Sequence, residues 1–170
     1  MNLEDKIRVV KDFPKDGIEY MDITTILKDG KSYKEVIDKC IKLADNLDYN
    51  IIVGPEARGF LVGAPMSYAT GTSFVPIRKP GKLPAEKLSY EYDLEYGTDI
   101  LEIHKDAINP GDKVLIVDDL LATGGTVEAA INMIEKLGGE VVGVIFLIEL
   151  TFLDGREKLK GYNVQSILKK

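Results

Sequence analysis

The sequence predicts an α/β fold with a mostly parallel central sheet whose two faces are covered by helices. Short apolar runs of the kind that buried strands show recur along the 170 residues, and stretches with helical spacing separate them. The run Val141–Leu150 is almost entirely apolar, as is typical of a central parallel strand. No internal repeat or low-complexity linker interrupts this alternation, so we expect residues 1–170 to form a single domain.

The first half of the chain starts with a mixed segment and then alternates regularly. Residues 1–30 show no clear period, and proline and glycine mark a turn at Phe13–Gly17. The elements predicted next are a helix at Ser32–Leu47, a strand at Asn50–Gly54, a helix at Phe60–Ala69 and a strand at Ser73–Ile77. Residues 78–87 are rich in lysine, proline and glycine, which predicts a loop.

The second half continues the alternation with a ribbon and two further strand–helix units. Gly138 and Gly139 are placed to end a helix, as glycines after a last helical turn commonly do. The predicted elements are a ribbon from Tyr90–Tyr96 and Asp99–His104, a strand at Lys113–Val117, a helix ending at Gly138, a strand at Val141–Leu150, a helical turn at Gly155–Lys160 and a last strand at Asn163–Leu168.

Composition excludes several classes of function. A net charge of −6 argues against non-specific nucleic-acid binding, which needs a basic face. The single cysteine, Cys40, lies in phase with the apolar face of the first helix and is expected in the core; it rules out a disulfide framework within one chain. His104, the lone histidine, excludes a His-rich metal site. With no long apolar run and no signal peptide, we expect a cytoplasmic protein with no membrane partner.

Residues 114–126 are the most informative part of the chain. Four apolar residues, Val114–Val117, predict a buried strand, and the carboxylates of Asp118 and Asp119 follow at its end. A turn of small residues comes next, Ala122, Thr123, Gly124, Gly125 and Thr126, and it leads into an amphipathic helix. Ligands of open α/β sheets bind beyond the carboxyl ends of the strands, so this order predicts a ligand site.

The chemistry of this segment suits a sugar phosphate. Backbone N–H groups of a turn at a helix N-terminus favour an anion, and the hydroxyls of Thr123 and Thr126 add donors. Carboxylates repel a phosphate, so Asp118 and Asp119 suit ribose hydroxyls or a bridging Mg²⁺. No lysine follows Gly125 as a Walker A loop requires, and the spacing of a dinucleotide fingerprint is absent.

The segment resembles the phosphoribosyl pyrophosphate signature of the type I phosphoribosyltransferases. Further segments make the resemblance specific to the family of adenine phosphoribosyltransferases over nearly the whole chain. They are Phe13–Ile18 with Asp22–Thr24, Glu56–Phe60, Ile77–Pro84 with Tyr92–Gly97, and Glu149–Leu150. The resemblance implies the type I phosphoribosyltransferase fold, with a small N-terminal hood at about residues 1–30 and a mobile catalytic loop at about residues 78–98.

The resemblance also implies a reaction in purine salvage. Adenine attacks the anomeric carbon of phosphoribosyl pyrophosphate and gives AMP and pyrophosphate through an oxocarbenium-like transition state. Arg58 has the forked donors that suit pyrophosphate oxygens and is expected to act in catalysis. Arg78, Lys79 and Lys82 would neutralise the leaving pyrophosphate together with Mg²⁺, which the protein would hold only through the substrate. In this family one loop residue crosses a dimer interface, so a homodimer is implied, with Arg78 serving the neighbouring subunit.

Two further groups take their roles from the resemblance. Glu95 is the candidate for proton handling at the purine ring, and Tyr96 and Tyr92 would close the loop over the site and exclude water. Tyr20 and Leu150 occupy the positions between which the family stacks the base, and backbone groups around Ile18–Met21 would read its edge. The chain departs from the family pattern here, since Tyr20-Met21-Asp22 stands where Phe-Arg-Asp is common and Glu19 replaces a small apolar residue.

Other functions remain open at this point. The changes at Glu19 and Met21 allow a xanthine or hypoxanthine–guanine phosphoribosyltransferase. A purine-responsive regulator would keep the sugar-phosphate turn as a sensor, but it would carry an added DNA-binding segment. The segment Arg156–Lys158 is interpreted as a surface turn with no assigned role.

Overall fold

The computed structural model describes residues 2–93 and 97–170. The strands are β1 (Arg8–Lys11), β2 (Glu19–Asp22), β3 (Ile51–Pro55), β4 (Ser73–Ile77), β5 (Lys87–Asp93), β6 (Thr98–His104), β7 (Lys113–Leu121), β8 (Glu140–Glu149) and β9 (Val164–Lys169). The helices are α1 (Thr24–Leu27), α2 (Gly30–Leu43), α3 (Arg58–Thr70) and α4 (Gly125–Lys136), with short 3₁₀ helices at Leu3–Lys6, Thr151–Leu153 and Gly155–Leu159.

The chain divides into two compact units, Met1–Lys39 and Cys40–Lys170. In the first unit, β1 and β2 form an antiparallel ribbon that pairs Arg8 with Asp22. The Asp22 carboxylate accepts a hydrogen bond from the Thr24 N–H at 2.9 Å at the start of α1. Hydrogen bonds from Thr24, with help from the Arg8 guanidinium, lower the pKa of Asp22 to about 2. This carboxylate therefore ties the end of the ribbon to the following helix.

The second unit is built on a five-stranded sheet in the order β4-β3-β7-β8-β9, with every neighbouring pair parallel. Successive residues of a strand face opposite sides, and β3 follows this rule. Ile51 and Val53 pack in the core cluster that contains the apolar residues of α4. Ile52, which points the other way, faces Gly63 of α3. Helices thus cover both faces of the sheet, and the predicted α/β fold is confirmed.

The direction in which the chain adds strands to the sheet reverses between β3 and β7. From β3 the chain crosses through α3 to β4 on one side, and from β7 it crosses through α4 to β8 on the other side. The connections leave the carboxyl ends of β3 and β7 in opposite directions, which opens a crevice between those ends. The residues that follow β3 and those at the end of β7 are therefore brought together at the position where such sheets bind ligands.

Several element boundaries differ from the prediction because tertiary pairing sets them. β7 continues to Leu121, since it stays paired with β8 as far as the partners Leu121 and Glu149. Asp118 and Asp119 consequently lie within the strand and not after it. β5 starts at Lys87, inside the predicted loop, because it pairs with β6 from His104 onward. The first long helix ends at Leu43, and turns replace its predicted last residues.

The single cysteine, Cys40, and the single histidine, His104, both have structural contacts in this fold. Cys40 is fully buried, as its helical phase predicts, and burial raises the pKa of its thiol to about 12. His104 ends β6 at the edge of the hairpin, where its Nε2 accepts a hydrogen bond from the Ala85 N–H at 3.3 Å. Within residues 2–93 and 97–170, none of the helices combines the length and the apolarity that crossing a bilayer requires.

Phe146 and Phe152 provide a matched pair for testing the core. Phe146 on β8 is fully buried, whereas Phe152 is 71% exposed. We expect Phe146→Ala to lower the free energy of unfolding by about 3–5 kcal/mol, because it removes buried surface and leaves a cavity. Phe152→Ala should change it by no more than about 0.5 kcal/mol. Urea unfolding measures both values, and equal losses would show that the core does not centre on β8.

Candidate active site

A turn at residues 122–126 joins β7 to α4 and encloses a small cavity of about 80 Å³. The cavity is lined by Asp118, Leu120, Leu121, Ala122, Thr123, Gly124, Gly125, Thr126, Val127 and Phe146. Gly124 adopts φ 87°, a left-handed conformation that glycine takes without strain, and α4 starts at the next residue. The N-terminal N–H groups of this helix have no partner within the helix, so they are free to bind an anion.

The 3₁₀ segment Gly155–Leu159 packs against this turn. A Cβ atom on Gly155 would lie 2.4 Å from the Ala122 carbonyl oxygen, and one on Gly124 would lie 2.7 Å from the Gly155 carbonyl oxygen. The two backbones are therefore too close for any side chain at these positions. Sequence reasoning predicted the helical turn but missed this contact, which has no local signal in the sequence.

The carboxylates of Asp118 and Asp119 are buried, at 9% and 4% exposure. The Asp119 N–H donates to the Asp118 Oδ1 at 2.8 Å, so the first carboxylate turns back over the backbone of the second. Burial raises the pKa of Asp118 well above its usual value, and the neighbouring Asp119 charge adds to the rise. Burial also raises the pKa of Asp119, while the Arg58 guanidinium opposes that rise.

Arg58 connects the ends of the two strands that border the crevice. It is the first residue of α3, directly after the segment that leaves β3, and its Nε lies 2.9 Å from the Asp119 Oδ2. Its side chain is 33% exposed. The two residues that sequence reasoning assigned to pyrophosphate and to ribose are thus in direct contact, and the crevice between β3 and β7 contains both.

Glu56, in the segment between β3 and α3, holds two of the predicted pyrophosphate ligands. Its carboxylate accepts a hydrogen bond from the Lys79 backbone N–H, and its Oε2 lies 3.2 Å from the Arg78 Nη2. Burial opposes ionisation of Glu56, but these donors and the nearby Lys82 charge outweigh it and keep its pKa below the usual value. The peptide bond from Glu56 to Ala57 is cis. Glu56 was not among the predicted site residues.

The basic segment, residues 78–82, contacts the hairpin of β5 and β6. Arg78 and Glu102 exchange backbone hydrogen bonds, and the Glu102 carboxylate accepts from the Gly81 N–H at 2.9 Å. The Lys79 ammonium forms an ion pair with Asp99. Lys82 is exposed. The three predicted cations therefore share one segment, with Arg78 and Lys79 held by carboxylates.

Tyr92 links this hairpin to the turn that precedes α4. Its hydroxyl lies 3.2 Å from the Asp99 Oδ2 and 3.4 Å from the Thr126 Oγ1. Asp99 thus contacts both Tyr92 and Lys79, and a chain of polar contacts runs from the basic segment to Thr126. Sequence reasoning did not assign Asp99 a role, because one acid in an alternating strand matches no motif.

Arg156, which was interpreted as part of a surface turn, instead holds a buried carboxylate. Its Nε and Nη2 donate to the two oxygens of Glu149 at 2.6 and 2.8 Å, and Ser166 donates to the same carboxylate at 2.6 Å. A third donor, Nη1, reaches the Val164 carbonyl at 2.9 Å. This fork-to-fork pair fixes the 3₁₀ segment against the ends of β8 and β9.

The residues predicted to bind a base belong to both units. In the first unit, Tyr20 is half-buried and its ring packs edge-on against Phe13 with centroids 5.2 Å apart. Met21 is buried at 9% exposure. In the second unit, Leu150 follows β8, is 8% exposed and donates its N–H to the Leu121 carbonyl at 2.9 Å. Glu95 and Tyr96 lie outside the described residues.

We expect Asp118→Asn to raise the free energy of unfolding at neutral pH. The amide oxygen can keep the hydrogen bond from the Asp119 N–H, and the buried charge disappears. Because the folded pKa of Asp118 is raised, the wild type loses stability as the pH rises from the ordinary value of 3.8 through the raised pKa. The gain from the substitution should therefore shrink as the pH falls.

Urea unfolding of wild type and variant from about pH 4 to pH 8 measures this difference. Asp106→Asn, a change at an exposed residue, is the matched control and should give a small difference at every pH. A gain for Asp118→Asn that does not change with pH would contradict the argument.

Comparison with known proteins identifies the family of the chain. The family model described as the phosphoribosyl transferase domain matches residues 22–167. An adenine phosphoribosyltransferase from Alkaliphilus metalliredigens is 64% identical over 169 residues, covering 99% of both chains.

Solved structures give the same result. The adenine phosphoribosyltransferase from Thermoanaerobacter pseudethanolicus has a TM-score of 0.97 and 57% identity, and the match covers 99% of this chain and 100% of the other. The Saccharomyces cerevisiae enzyme, solved with an imino-altritol bisphosphate and adenine, has a TM-score of 0.89 and 38% identity, with 95% and 94% covered. The chain therefore belongs to the phosphoribosyl transferase family, in its group of adenine phosphoribosyltransferases.

Proposed function

We propose that this enzyme transfers the phosphoribosyl group from phosphoribosyl pyrophosphate to adenine and releases AMP and pyrophosphate. The observation that carries the proposal is the crevice between β3 and β7, which combines an anion-binding turn, a buried carboxylate pair and a guanidinium. These groups match the three parts of the sugar substrate: its 5′-phosphate, its ribose hydroxyls and its pyrophosphate. The printed names of the relatives supply adenine as the acceptor.

The turn and the carboxylates would act on the sugar. N–H groups of residues 123–126 and the hydroxyls of Thr123 and Thr126 would bind the 5′-phosphate, with Ala122, Gly124 and Gly125 shaping the turn. Asp118 and Asp119 would accept hydrogen bonds from the ribose hydroxyls and fix the ring for attack. Their negative potential favours the positive charge that develops on the sugar as the bond to pyrophosphate breaks.

Four cations would receive the leaving pyrophosphate. Arg58 would contribute its guanidinium, which lies against Asp119, and Lys82 extends from an exposed position. Arg78 and Lys79 have carboxylate partners, so pyrophosphate would compete with Glu56 and Asp99 for them. Binding of the sugar substrate is therefore coupled to rearrangement of the basic segment.

Mg²⁺ is proposed to enter this site on the substrate. Among the described residues, no group of three or more acidic, histidine or cysteine side chains is arranged to hold a metal ion. The carboxylates of Asp118 and Asp119 are oxygen donors of the type that Mg²⁺ accepts, and this small donor set fits an ion carried by pyrophosphate. When bound, Mg²⁺ neutralises charge on the pyrophosphate and so improves it as a leaving group.

The resemblance supplies the residues proposed to contact the base. In the first unit, Tyr20 offers an aromatic face, and in the second unit, Leu150 offers a branched apolar side chain; each of these side chains by itself suits a flat purine. Backbone groups around Met21 would read the edge of adenine, and backbone readout tolerates the side-chain change at this position. Glu95 is proposed to handle the proton at the purine ring, and Tyr96 to exclude water.

Two further properties complete the proposal. We propose a homodimer, because α3 presents two large side chains two turns apart, Leu61 and Tyr68, at 39% and 93% exposure. In that dimer, Arg78 would serve the neighbouring site. We also propose a cytoplasmic location, where an unpaired cysteine such as Cys40 is typical.

Turnover with four purine bases tests the function directly. With phosphoribosyl pyrophosphate and Mg²⁺ present, we expect AMP from adenine and no product from hypoxanthine, guanine or xanthine. Product from an oxopurine would keep the sugar-phosphate assignment and overturn the base assignment at Tyr20, Met21 and Leu150. Binding of the sugar substrate without turnover of any base would favour a purine-responsive regulator, and a DNA gel shift would then examine that alternative.

Glu95→Gln separates catalysis from binding. We expect the turnover number to fall by about a hundredfold or more, because a positioned acid or base contributes on that scale. The affinity for phosphoribosyl pyrophosphate, measured by calorimetry, should change by less than about threefold. Glu86→Gln, at an exposed carboxylate paired with Lys105, is the matched control and should leave both values unchanged. Equal losses of affinity and rate in Glu95→Gln would assign this residue to substrate positioning.

A further inference from the structure

The phosphate-binding turn contains no cation of its own. Residues 122–126 are alanine, threonine and glycine, and no lysine follows Gly125 as it does in a Walker A loop. The chain is also acidic, with a net charge of −6. A 5′-phosphate near neutral pH carries between one and two negative charges, so its binding would be stabilised by a positive side chain beside the turn.

The fold brings Lys158 to this position. Its Nζ lies 3.8 Å from the point that a Cβ atom of Gly125 would occupy, and Gly125 belongs to the turn and starts α4. The backbone that carries Lys158 is fixed, because Gly155 packs on Ala122 and Arg156 pairs with Glu149. The ammonium is therefore presented from a well-supported segment.

The neighbouring cations Arg156 and Lys160 each form an ion pair. Arg156 is occupied by Glu149, and the Lys160 Nζ lies 2.6 Å from the Glu157 Oε2. Within the described part of the chain, Lys158 makes no ion pair. It lines a cavity of about 290 Å³ next to the turn. The other lining residues are Tyr90, Glu91, Tyr92, Asp93, Gly125 and Glu128.

Among the described residues that line this second cavity, three are carboxylates, Glu91, Asp93 and Glu128, and Lys158 is the one cation. The second cavity shares Gly125 with the smaller cavity that the turn borders. Lys158 therefore brings a positive charge to the edge of the turn, where the other ionisable lining residues are acidic.

We infer that Lys158 is a further substrate-binding residue, which supplies to the 5′-phosphate the positive charge that the turn lacks. The inference rests on the proposed function, in which the turn at residues 122–126 holds that phosphate. The lysine would add a charge-assisted contact to the N–H donors of the turn. It takes no part in bond breaking, so it should affect sugar-phosphate affinity and not the chemical step.

Direct binding tests the inference with ribose 5-phosphate and with pyrophosphate, which carry the two different phosphate groups of the substrate. We expect Lys158→Met to weaken ribose 5-phosphate by about three- to tenfold in calorimetry, while pyrophosphate changes by less than about twofold. Lys158→Arg should restore most of the affinity, because it keeps the charge. The KM for phosphoribosyl pyrophosphate should rise with that loss, and kcat should stay within about twofold of the wild type.

Lys160→Met is the matched control, because it removes the same charge two residues away from a lysine that already has a partner. It should leave ribose 5-phosphate affinity within about twofold of the wild type. Equal effects of the two substitutions, an equal loss for pyrophosphate, or an unchanged ribose 5-phosphate affinity in Lys158→Met would each overturn the inference. Failure of the proposed function would instead appear in the wild type, as absence of AMP formation, and the binding comparison does not depend on turnover.

Discussion

The reversal of strand order between β3 and β7 is the constraint on which the rest of the site depends. Because the chain leaves these neighbouring strands in opposite directions, their carboxyl ends are not covered by their own connections. Arg58 at the start of α3 and Asp119 near the end of β7 meet in the space that results. Residues far apart in sequence thus form one site because of sheet topology.

Contacts on two sides of the site then hold its residues in position. On one side, Glu56 and Asp99 fix the basic segment through Arg78 and Lys79. On the other side, the 3₁₀ segment after β8 supports the turn at residues 122–126, where Gly155 and Ala122 are in backbone contact. Tyr92 connects the two sides through Thr126. Polar contacts thus run from Glu56 through the basic segment, Asp99 and Tyr92 to Thr126. Three of the four cations proposed to bind pyrophosphate, Arg58, Arg78 and Lys79, already pair with carboxylates.

Features whose signals lie in one continuous stretch of sequence could be predicted, whereas features that depend on pairing with distant segments could not. The strand, turn and helix around residues 114–126 were predictable because their signals lie in one continuous run. The length of β7 was not predictable from that run, since its pairing with β8 carries the strand through Asp118 and Asp119.

The supporting contacts were harder to predict for the same reason. The close approach of Gly155 to Ala122 and the Arg156–Glu149 pair join segments that are distant in sequence. Neither shows a period or a motif, and Arg156 resembles any surface cation. The family resemblance implied roles for residues proposed to contact substrate, but it gave none to the side chains that hold them.

The burial of Asp118 and Asp119 has a consequence for the thermodynamics of ligand binding. Because their pKa values are raised, these carboxyls retain a proton more readily than exposed ones do. A ligand that donates hydrogen bonds to them, or brings positive charge near them, favours the ionised form and expels that proton. At a pH between the ordinary and the raised pKa, binding of such a ligand would release protons, and the measured heat of binding would then depend on the protonation enthalpy of the buffer.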